Sequence, residues 1–474
     1  MLMDHHTPEN NMNDKGLPAS GGDRPLFMLI SLGCDKNLVD SEMMMGKLAK
    51  AGYRLTEDET EAEVIVVNTC CFIMDAKEES INTLIECGAL KEKGKLKCLI
   101  AAGCLAQRYA DEINKELPEV DAVIGTTAFD KISDCADRVL GRGQYASVGK
   151  AFIKETEALN RLVSGLPRFH TGNPCTGYLK IAEGCDKNCT YCIIPKIRGS
   201  YRSVPMETLI KEATDLADTG VRELILVAQE TTVYGTDIYG RKALPELLKK
   251  LEELPFEWIR IMYCYPEEID EELIETMAQS KKICHYLDLP VQHSSDKILK
   301  RMNRRTDRKD LLKVIEMLKE RIPDMVLRTT LITGFPGETN EDFEDLCDFV
   351  RTVRFDRLGV FTFSPEEGTA AEEMDGQVSE EIKSARRDAV MEIQQEIAFE
   401  KALEKKGKEL SCMVIGRLPE DNVLVCRSYM DAPDVDGYVF VDTDIDPVSG
   451  TMVDVRVTGA RGYDLTGEII TGLS

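Results

Sequence analysis

The sequence predicts an α/β protein in three parts: an N-terminal domain with a parallel sheet, a central partial (β/α) barrel of the TIM type, and a small C-terminal antiparallel β-barrel. Three observations carry this prediction. Apolar runs alternate with amphipathic stretches over residues 25–140, a pattern typical of parallel sheets covered by helices. The same alternation resumes over 175–378 for six strands. From residue 409 onward, short β-rich segments between Gly and Asp turns indicate a barrel.

Composition divides the chain further. The first residues are polar and lack apolar periodicity, which predicts disorder, and a Gly-, Ser- and Pro-containing stretch after residue 140 fits a linker. One long charged helix is predicted before the barrel. The predicted organisation is therefore a disordered tail (1–24), an N-terminal domain (25–140), a linker (141–174), a core (175–378), a bridging helix (379–408) and a barrel (409–474).

Four apolar runs of the N-terminal domain fit buried strands: LFMLISL (26–32), VIVVN (64–68), LKCLIAA (96–102) and DAVIG (121–125). Helices are predicted between them, over 37–50, over about 76–91 and once more between the third and fourth strands, and a further helix is predicted after the fourth strand, over 130–140. A cysteine lies just past each of the first three strands: Cys34, Cys70 and Cys104. Because the carboxyl ends of parallel strands meet at one edge, we expect these thiols to lie together and to hold a metal group, a three-cysteine 4Fe-4S cluster.

The central region contains six predicted strands: GYLKIAE (177–183), ELILVAQ (223–229), WIRIMYC (258–264), YLDLPVQ (286–292), VLRTTLIT (326–333) and RLGVFTF (357–363). The loop after the first strand carries Cys185, Cys189 and Cys192 in a C-x3-C-x2-C array. Three thiolates can bind three irons of a 4Fe-4S cube and leave the fourth iron open to a small molecule. Zinc is the alternative, but zinc sites usually use paired ligand clusters with a fourth protein ligand.

The segment GCDKNCTYC (184–192) resembles the cluster motif of the radical S-adenosylmethionine (SAM) enzymes. The resemblance implies that Cys185, Cys189 and Cys192 hold a 4Fe-4S cluster whose open iron is chelated by SAM. In that family, reductive cleavage of SAM gives a 5′-deoxyadenosyl radical, which abstracts hydrogen from carbon that no base deprotonates. The central barrel is then the radical SAM core.

Polar residues at the carboxyl ends of the central strands are candidates for a SAM pocket: Glu230, Gln292, His293, Arg328, Gly334 and Glu338. Arg328 has the geometry to pair with the SAM carboxylate, and Gly334 would let the backbone approach the cofactor. Segments like LPVQH (289–293) and TGFPGE (333–338) lie close to SAM in the family that the chain resembles. The aromatic residues Trp258, Tyr263 and Tyr265 fit the core better than a cofactor pocket.

Three further segments resemble the N-terminal domain of the methylthiotransferases, which are radical SAM enzymes that insert sulfur and a methyl group into a C–H bond. They are SLGCDKNLVDSE (31–42), VNTC (67–70) and AAGCLAQRY (101–109). The resemblance implies that Cys34, Cys70 and Cys104 hold an auxiliary cluster that carries the transferred sulfur. Cys71 stands where this family usually has Gly.

The barrel sequence bears on the substrate. Between residues 411 and 474 four basic residues face eleven acidic ones, and the whole chain carries a net charge of -25. Such a barrel is unsuited to tRNA phosphates and suits a basic protein. At this position the methylthiotransferases carry a TRAM domain, and RSYMDAPDVDGYV (427–439) resembles the branch that modifies an aspartate β-carbon of small-subunit ribosomal protein S-twelve. The resemblance further implies a flavodoxin- or ferredoxin-type electron donor and a sulfur donor.

The sequence shows no apolar run long enough for a membrane span and nothing like a signal peptide, so we expect a cytoplasmic protein whose 16 cysteines are thiols or metal ligands. Two alternatives stay open at this point. A tRNA adenosine methylthiotransferase would use the same chemistry with a different barrel. A two-cluster electron-transfer or sensor protein would need no SAM pocket.

Overall fold

Two six-stranded sheets and a closed barrel, with a short two-stranded sheet beside them, organise the computed structural model, which describes residues 24–145, 152–156, 159–418 and 421–470. The predicted disordered tail lies outside the described residues except for Arg24. Within the described ranges, no helix is both long enough and apolar enough to cross a lipid bilayer.

The N-terminal domain is a six-stranded parallel sheet with the strand order β2-β1-β3-β4-β5-β6. Its strands are β1 (Leu26–Ser31), β2 (Arg54–Leu55), β3 (Val64–Thr69), β4 (Cys98–Ala102), β5 (Ala122–Ile124) and β6 (Ile153–Glu155). Its helices are α1 (Asp35–Lys50), α2 (Met74–Lys93), α3 (Gly103–Arg108), α4 (Ala110–Glu116) and α5 (Ile132–Leu140), with short 3-10 turns at Phe129–Lys131 and Gly143–Tyr145.

The central strand β3 shows why this sheet forms. All six of its residues are buried, and successive side chains enter apolar clusters on opposite faces. Val64 and Val66 join one cluster, while Ile65 and Val67 join the other. A strand that is apolar on both faces requires helices on both sides, as parallel sheets have.

The central domain is a second six-stranded parallel sheet with the order β14-β13-β12-β11-β10-β7. Its strands are β7 (Thr176–Lys180), β10 (Glu223–Val227), β11 (Trp258–Ile261), β12 (Ile283–Asp288), β13 (Val326–Thr333) and β14 (Arg357–Thr362), and β8 (Ala182–Glu183) pairs with β9 (Arg202–Ser203) beside them. Its helices are α6 (Ile194–Arg198), α7 (Met206–Asp218), α8 (Thr236–Tyr239), α9 (Leu244–Glu252), α10 (Glu271–Gln279), α11 (Asp296–Arg301), α12 (Arg308–Arg321) and α13 (Asn340–Val353), with a 3-10 turn at Pro266–Glu268.

Each strand of this sheet lies beside the previous one in the chain, and β7 and β14 form its two edges. This is the expected partial barrel. The helix α14 (Glu380–Leu403) then packs along β14 and also contacts the C-terminal barrel. Gln394 of α14 donates from Nε2 to the Phe355 carbonyl at 2.9 Å, which anchors the helix beneath the sheet.

The C-terminal domain is a closed five-stranded barrel with the order β15-β16-β17-β19-β18. Its strands are β15 (Glu409–Arg417), β16 (Val423–Ser428), β17 (Val439–Asp442), β18 (Met452–Arg461) and β19 (Asp464–Ile469). The pairs are antiparallel except for β17 and β19, which are parallel because the chain crosses the barrel through β18 before β19 returns.

The barrel docks on the inner face of the central sheet. Its apolar residues share one cluster with Ile225, Trp258 and Tyr286 of the sheet. Buried charges fix the contact, since the Glu223 carboxylate accepts from Arg427 of the barrel and, at 2.8 Å, from Arg260 Nε. The barrel therefore lies against the same sheet that carries the Cys185 loop.

Local differences from the sequence expectations have physical reasons. The predicted strand 177–183 is broken at Ile181, after which β8 leaves the main sheet to pair with β9. The predicted strand 286–292 begins earlier, at Ile283, and ends before Pro290, which has no amide hydrogen for a ladder. The stretch predicted as a linker contains β6, which is only three residues long and shows no apolar run.

Candidate active site

The loop with Cys185, Cys189 and Cys192 follows β8 and folds back on itself. The Cys192 amide donates to the Cys189 carbonyl at 3.0 Å, and the Cys185 amide donates to the Gly199 carbonyl at 3.2 Å. Burial raises the pKa of the Cys185 thiol to about 11 and that of the Cys192 thiol to about 12, and negative charge on Cys189 adds to both shifts. The three thiols thus lie within electrostatic reach of one another on a single loop.

The structure also brings Cys34, Cys70 and Cys104 to one edge of the N-terminal sheet. They follow β1, β3 and β4, which are neighbours in that sheet. Gly33 has a φ of 89°, and a Cβ at this position would lie 2.9 Å from Cys70 Sγ. A glycine is therefore required where the end of β1 crosses the second thiol.

Asn37 ties these strand ends together. Its Nδ2 donates to the Leu32 carbonyl at 2.9 Å and to the Thr69 carbonyl at 3.1 Å, and its Oδ1 lies 4.0 Å from Cys104 Sγ. Burial raises the pKa of the Cys104 thiol to about 12; Arg198 opposes the rise, and negative charge on Cys71, Cys70 and Cys34 adds smaller contributions to it. One side chain at the start of α1 thus contacts all three strand ends.

The neighbouring Cys71 differs from Cys70. Cys71 is fully buried in an apolar cluster with Ile65 and Leu99, and burial raises the pKa of its thiol to about 11. Cys70 instead faces Gly33 and the charge of Cys34. This geometry supports Cys70 rather than Cys71 as the third member of the set.

The chemistry of the donors at each triad suits an iron–sulfur cluster. Three thiols are the donor set of a 4Fe-4S cube that keeps one iron open, whereas zinc sites usually use four protein ligands.

A buried ionic network joins the two triads. Lys180 pairs with Asp40 and, at 2.8 Å, with Glu183, and the Arg198 guanidinium lies 2.9 Å from Glu183 and 3.2 Å from Asp40. Arg198 Nη2 also lies 3.5 Å from Cys104 Sγ. Burial alone would raise the pKa of Glu183, but Arg198 and Lys180 together lower it to about 2. Residues of both domains therefore form one neutral network that reaches from Cys104 to the strand end before Cys185.

Glu230 lies at the Cys185 end of the central sheet. Its Oε1 accepts from the Thr232 amide at 3.0 Å, while its Oε2 is buried and, among the described atoms, has no hydrogen-bond partner. Burial raises the pKa of this carboxyl to about 7. The buried Tyr201 hydroxyl meets no partner within hydrogen-bond geometry among the described atoms; burial and the charge of Glu230 raise the pKa of Tyr201, and Ser203 opposes this rise. These polar atoms fit a site that a polar ligand completes.

Gln292, His293, Gly334 and Glu338 lie together near the end of β13. His293 Nδ1 accepts from the Ser295 amide at 2.9 Å, and its Nε2 lies 3.4 Å from Glu338 Oε2. Glu338 Oε2 accepts from the Gly334 amide at 2.9 Å. Gln292 adopts a left-handed φ of 69°, and its buried Oε1 has no partner among the described atoms. The group is thus internally bonded except at Gln292 Oε1 and His293 Nε2, which have no hydrogen-bond partner among the described atoms.

The helix α14 explains two of these residues. Arg386 of α14 donates to Glu338 Oε1 at 2.7 Å, and a Cβ at Gly334 would lie 2.2 Å from Lys383 Cγ. Gly334 has a φ of 71°. The protein itself therefore requires a glycine here, whether or not a ligand approaches.

Arg328 lies apart from this group. Its Nη1 donates to Asp288 Oδ1 at 2.8 Å, and its Nε lies 4.0 Å from Asp436 of the barrel. Asp288 lies opposite Arg328 because of the register between β12 and β13. That register cannot be read from the sequence. The sequence predicts that Arg328 binds the SAM carboxylate. In the structure its guanidinium already lies beside two carboxylates, those of Asp288 and Asp436.

Two aromatic residues that the sequence assigns to the core lie at the candidate site. The Tyr265 hydroxyl lies 3.3 Å from Cys189 Sγ. Tyr263 has a left-handed φ of 61°, and its hydroxyl donates to Asp35 Oδ2 at 3.1 Å. Trp258 is buried in the core as expected. Tyr263 and Tyr265 follow the end of β11 at Ile261. This position after a strand end is the sequence feature that could have indicated their place at the site.

A cavity of about 240 Å³ opens beside Cys34. Its walls come from the Cys34 turn, from residues 171–173 before β7, and from the barrel loop that carries Asp434 and Tyr438. The cavity therefore connects the barrel loop with Cys34, the one N-terminal thiol among the lining residues.

Three family models match the chain. The model described as the radical SAM superfamily matches residues 179–350, that of the uncharacterized protein family UPF0004 matches residues 27–125, and that of the TRAM domain matches residues 407–470. Among solved structures, the radical SAM methyltransferase TsrM from Kitasatospora setae has a TM-score of 0.53 at 14% identity, covering 82% of this chain and 81% of that one. At this identity the likeness concerns the fold alone.

Curated relatives cover almost the full chain. The ribosomal protein uS12 methylthiotransferase RimO of Lachnoclostridium phytofermentans is 57% identical over 93% of this chain and 99% of its own length. The protein of the same name from Clostridioides difficile is 46% identical over 94% of this chain and 99% of its own length. With this identity over nearly all of both sequences, the chain belongs to the RimO family of radical SAM methylthiotransferases.

Proposed function

We propose that the protein adds a methylthio group to the β-carbon of an aspartate in ribosomal protein uS12. The relatives that match over 93% of the chain bear the name of uS12 methylthiotransferases. The observation that carries the proposal within the molecule is the pair of three-thiol sites joined by the Arg198 network, because this reaction needs a radical generator and a sulfur source in one active site.

We assign one 4Fe-4S cluster to Cys185, Cys189 and Cys192, and the other to Cys34, Cys70 and Cys104. The thiol-only donor sets support this assignment. When bound, SAM and the two clusters supply abstraction of a hydrogen atom from an unactivated carbon and its replacement by a methylthio group. Glu230 and Gln292 would hold polar groups of SAM, since each has a buried oxygen without a partner among the described atoms.

The chain contributes position and exclusion of water. The network of Asp40, Lys180, Glu183 and Arg198 holds the two thiol-bearing loops in a fixed relation, because four buried charges cannot separate without losing their partners. Fixed distances matter here, since reacting groups must meet in a narrow range of geometries. The barrel, docked on the inner face of the sheet, limits access of solvent from that side.

The charge of the barrel supports a basic protein substrate. Residues 411–474 contain eleven acidic and four basic side chains. Ribosomal proteins carry many Lys and Arg residues, so an acidic surface favours their approach and repels tRNA. We propose a cytoplasmic location for the same reason, since that is where a ribosomal substrate is made.

The reaction also requires partners that the chain does not contain. We propose a flavodoxin- or ferredoxin-type electron donor to reduce the Cys185 cluster, and a sulfur donor to restore the transferred sulfur. No direct contact with tRNA is part of the proposal.

Intact-mass measurement of uS12 tests the function. Ribosomes from cells with and without this gene are compared, and we expect uS12 to lose the mass of one CH2S unit on deletion. An unchanged mass, together with loss of a methylthio-adenosine from tRNA, would instead favour the tRNA enzyme. Reduced, reconstituted protein that does not cleave SAM would favour the electron-transfer alternative.

A further inference from the structure

Lys36 is a buried cation without a carboxylate. The residue is 6% exposed and lies at the start of α1, two positions after Cys34. Its ammonium nitrogen lies 3.1 Å from the centroid of the Tyr263 ring. Within the described part of the chain it makes neither an ion pair nor a side-chain hydrogen bond.

This isolation distinguishes Lys36 from every other buried basic residue in the described ranges. Eight Lys and Arg residues are buried there, and the other seven each pair with a carboxylate. The seven pairs are Lys180 with Asp40, Arg198 with Glu183, Arg260 with Glu223, Arg304 with Glu267, Lys383 with Glu380, Arg386 with Glu338 and Arg427 with Glu223. The fold therefore supplies an acid to each buried cation except this one.

An unpaired buried charge is costly, and the Tyr263 ring offsets only part of that cost. The neighbouring Asp35 carboxylate accepts from the Tyr263 hydroxyl at 3.1 Å and, among the described residues, forms no ion pair with Lys36. The N-terminus of a 16-residue helix adds further positive potential at the same place. The site thus favours an anion that comes from outside the chain.

The position of Lys36 indicates which anion. Tyr263 connects the two thiol sites, because its hydroxyl donates to Asp35, next to Cys34, at 3.1 Å, and its carbonyl accepts from the Thr231 amide, next to Glu230, at 3.1 Å. Cys34 and Asp35 line the cavity that leads to the barrel loop, and Lys36 is the next residue in the chain, buried beside that wall. An aspartate side chain that enters through this cavity past Cys34 and Asp35 would approach the Lys36 ammonium.

We propose that Lys36 binds the side-chain carboxylate of the target aspartate and so determines the specificity for an acidic residue. This inference rests on the proposed function. The ion pair between the Lys36 ammonium and the aspartate carboxylate fixes the position of that carboxylate. The adjacent β-carbon is then held where hydrogen is abstracted. The Tyr263 ring orients the ammonium, and its strained backbone is consistent with a functional role.

A substrate-selectivity cycle tests this role. Anaerobically reconstituted enzyme is given purified uS12, or uS12 in which the target aspartate is replaced by asparagine. We expect wild-type enzyme to prefer the aspartate form, and Lys36→Met to lower kcat/KM for that form about 30-fold or more, the usual effect of removing one member of a buried charge pair. For the asparagine form, Lys36→Met should change kcat/KM little, so the preference disappears.

Binding and stability give readouts that do not depend on turnover. The affinity of a uS12 loop peptide, measured by fluorescence anisotropy without reductant, should fall for Lys36→Met and recover partly for Lys36→Arg. The matched control is Lys50→Met at the exposed end of the same helix, which should affect neither quantity. Since Lys36→Met removes an unpaired charge, its thermal midpoint should equal or exceed that of wild type.

Two results would overturn the inference. One is equal use of both substrate forms by wild-type enzyme, which needs no variant to fold. The other is an equal loss for both forms in Lys36→Met, as expected if Lys36 binds SAM or a cluster instead. If wild-type enzyme leaves uS12 unmodified, the proposed function fails; if it modifies uS12 and Lys36→Met retains the preference, the inference alone fails.

Discussion

Cys185, Cys189 and Cys192 belong to one loop, whereas Cys34, Cys70 and Cys104 come from the ends of three neighbouring strands. The loop keeps its geometry through short-range hydrogen bonds, such as the one from the Cys192 amide to the Cys189 carbonyl. The strand-end site depends on the order and register of the whole N-terminal sheet. The same three-thiol donor set is thus built once by local sequence and once by topology, and the two should respond differently to perturbation.

The largest expected effect separates the two sites chemically. Cys185→Ser should abolish formation of 5′-deoxyadenosine, because the open iron that binds SAM is lost with its cluster. Cys104→Ser should retain SAM cleavage and abolish transfer to uS12. Iron analysis should show each variant retaining about half of the wild-type iron. If both variants lose both activities, the two sites do not have separate roles.

The network of Asp40, Lys180, Glu183 and Arg198 connects the two thiol sites, so a substitution in it should affect the stability of both domains. Glu183→Gln leaves Arg198 and Lys180 with one carboxylate fewer, and we expect the free energy of unfolding to fall by about 3–5 kcal/mol. The control is Glu61→Gln, which breaks the exposed pair with Lys95 and should cost less than about 1 kcal/mol. Urea unfolding measures both, and equal effects would show that the network does not bind the domains together.

Gly33→Ala should affect the strand-end site more than the loop. A methyl group there would meet Cys70 Sγ at 2.9 Å in a left-handed conformation, which costs about 1–3 kcal/mol. We expect weaker retention of iron at the N-terminal site during chelator challenge, with SAM cleavage preserved. Gly52→Ala, where φ is also positive but nothing lies within 4 Å, is the control for backbone strain alone.

The smallest expected effect is a pH dependence confined to the loop site. Burial raises the pKa of Glu230 to about 7, so the carboxylate that favours the cationic groups of SAM forms as pH rises through that value. SAM affinity should therefore increase by up to about tenfold per pH unit below pH 7 and level off above it. Equilibrium dialysis checks this, and Glu230→Gln should remove the slope, whereas Glu246→Gln, at a side chain that is 40% exposed and paired with Arg241, should keep it.

The sequence predicts the loop site from spacing alone, since three cysteines in a short array need no knowledge of the fold. It also predicts the strand-end site, because apolar runs such as 64–68 mark the strands that Cys70 and its partners follow. Which cysteines bind metal stays a prediction until iron is measured. The two parallel sheets can also be predicted from the sequence, because long apolar runs mark their buried strands.

Contacts between distant segments are not visible in the sequence. Arg328 pairs with Asp288 because β12 and β13 have a particular register. Arg198 reaches Asp40 across the domain boundary, and neither residue lies in a recognisable pattern with the other. The isolation of Lys36 is likewise a property of the assembled structure, since it depends on which acids the fold leaves nearby.

Cys34 is the exposed thiol among sixteen free cysteines, most of which are buried. Exposure makes a thiol the first to meet an incoming cluster, and also the first to meet oxygen or an alkylating agent. The accessibility of Cys34 therefore also leaves the N-terminal thiol set open to oxidation in air. The working lifetime of the protein under oxidants should be set by Cys34, while the Cys185 loop outlasts it.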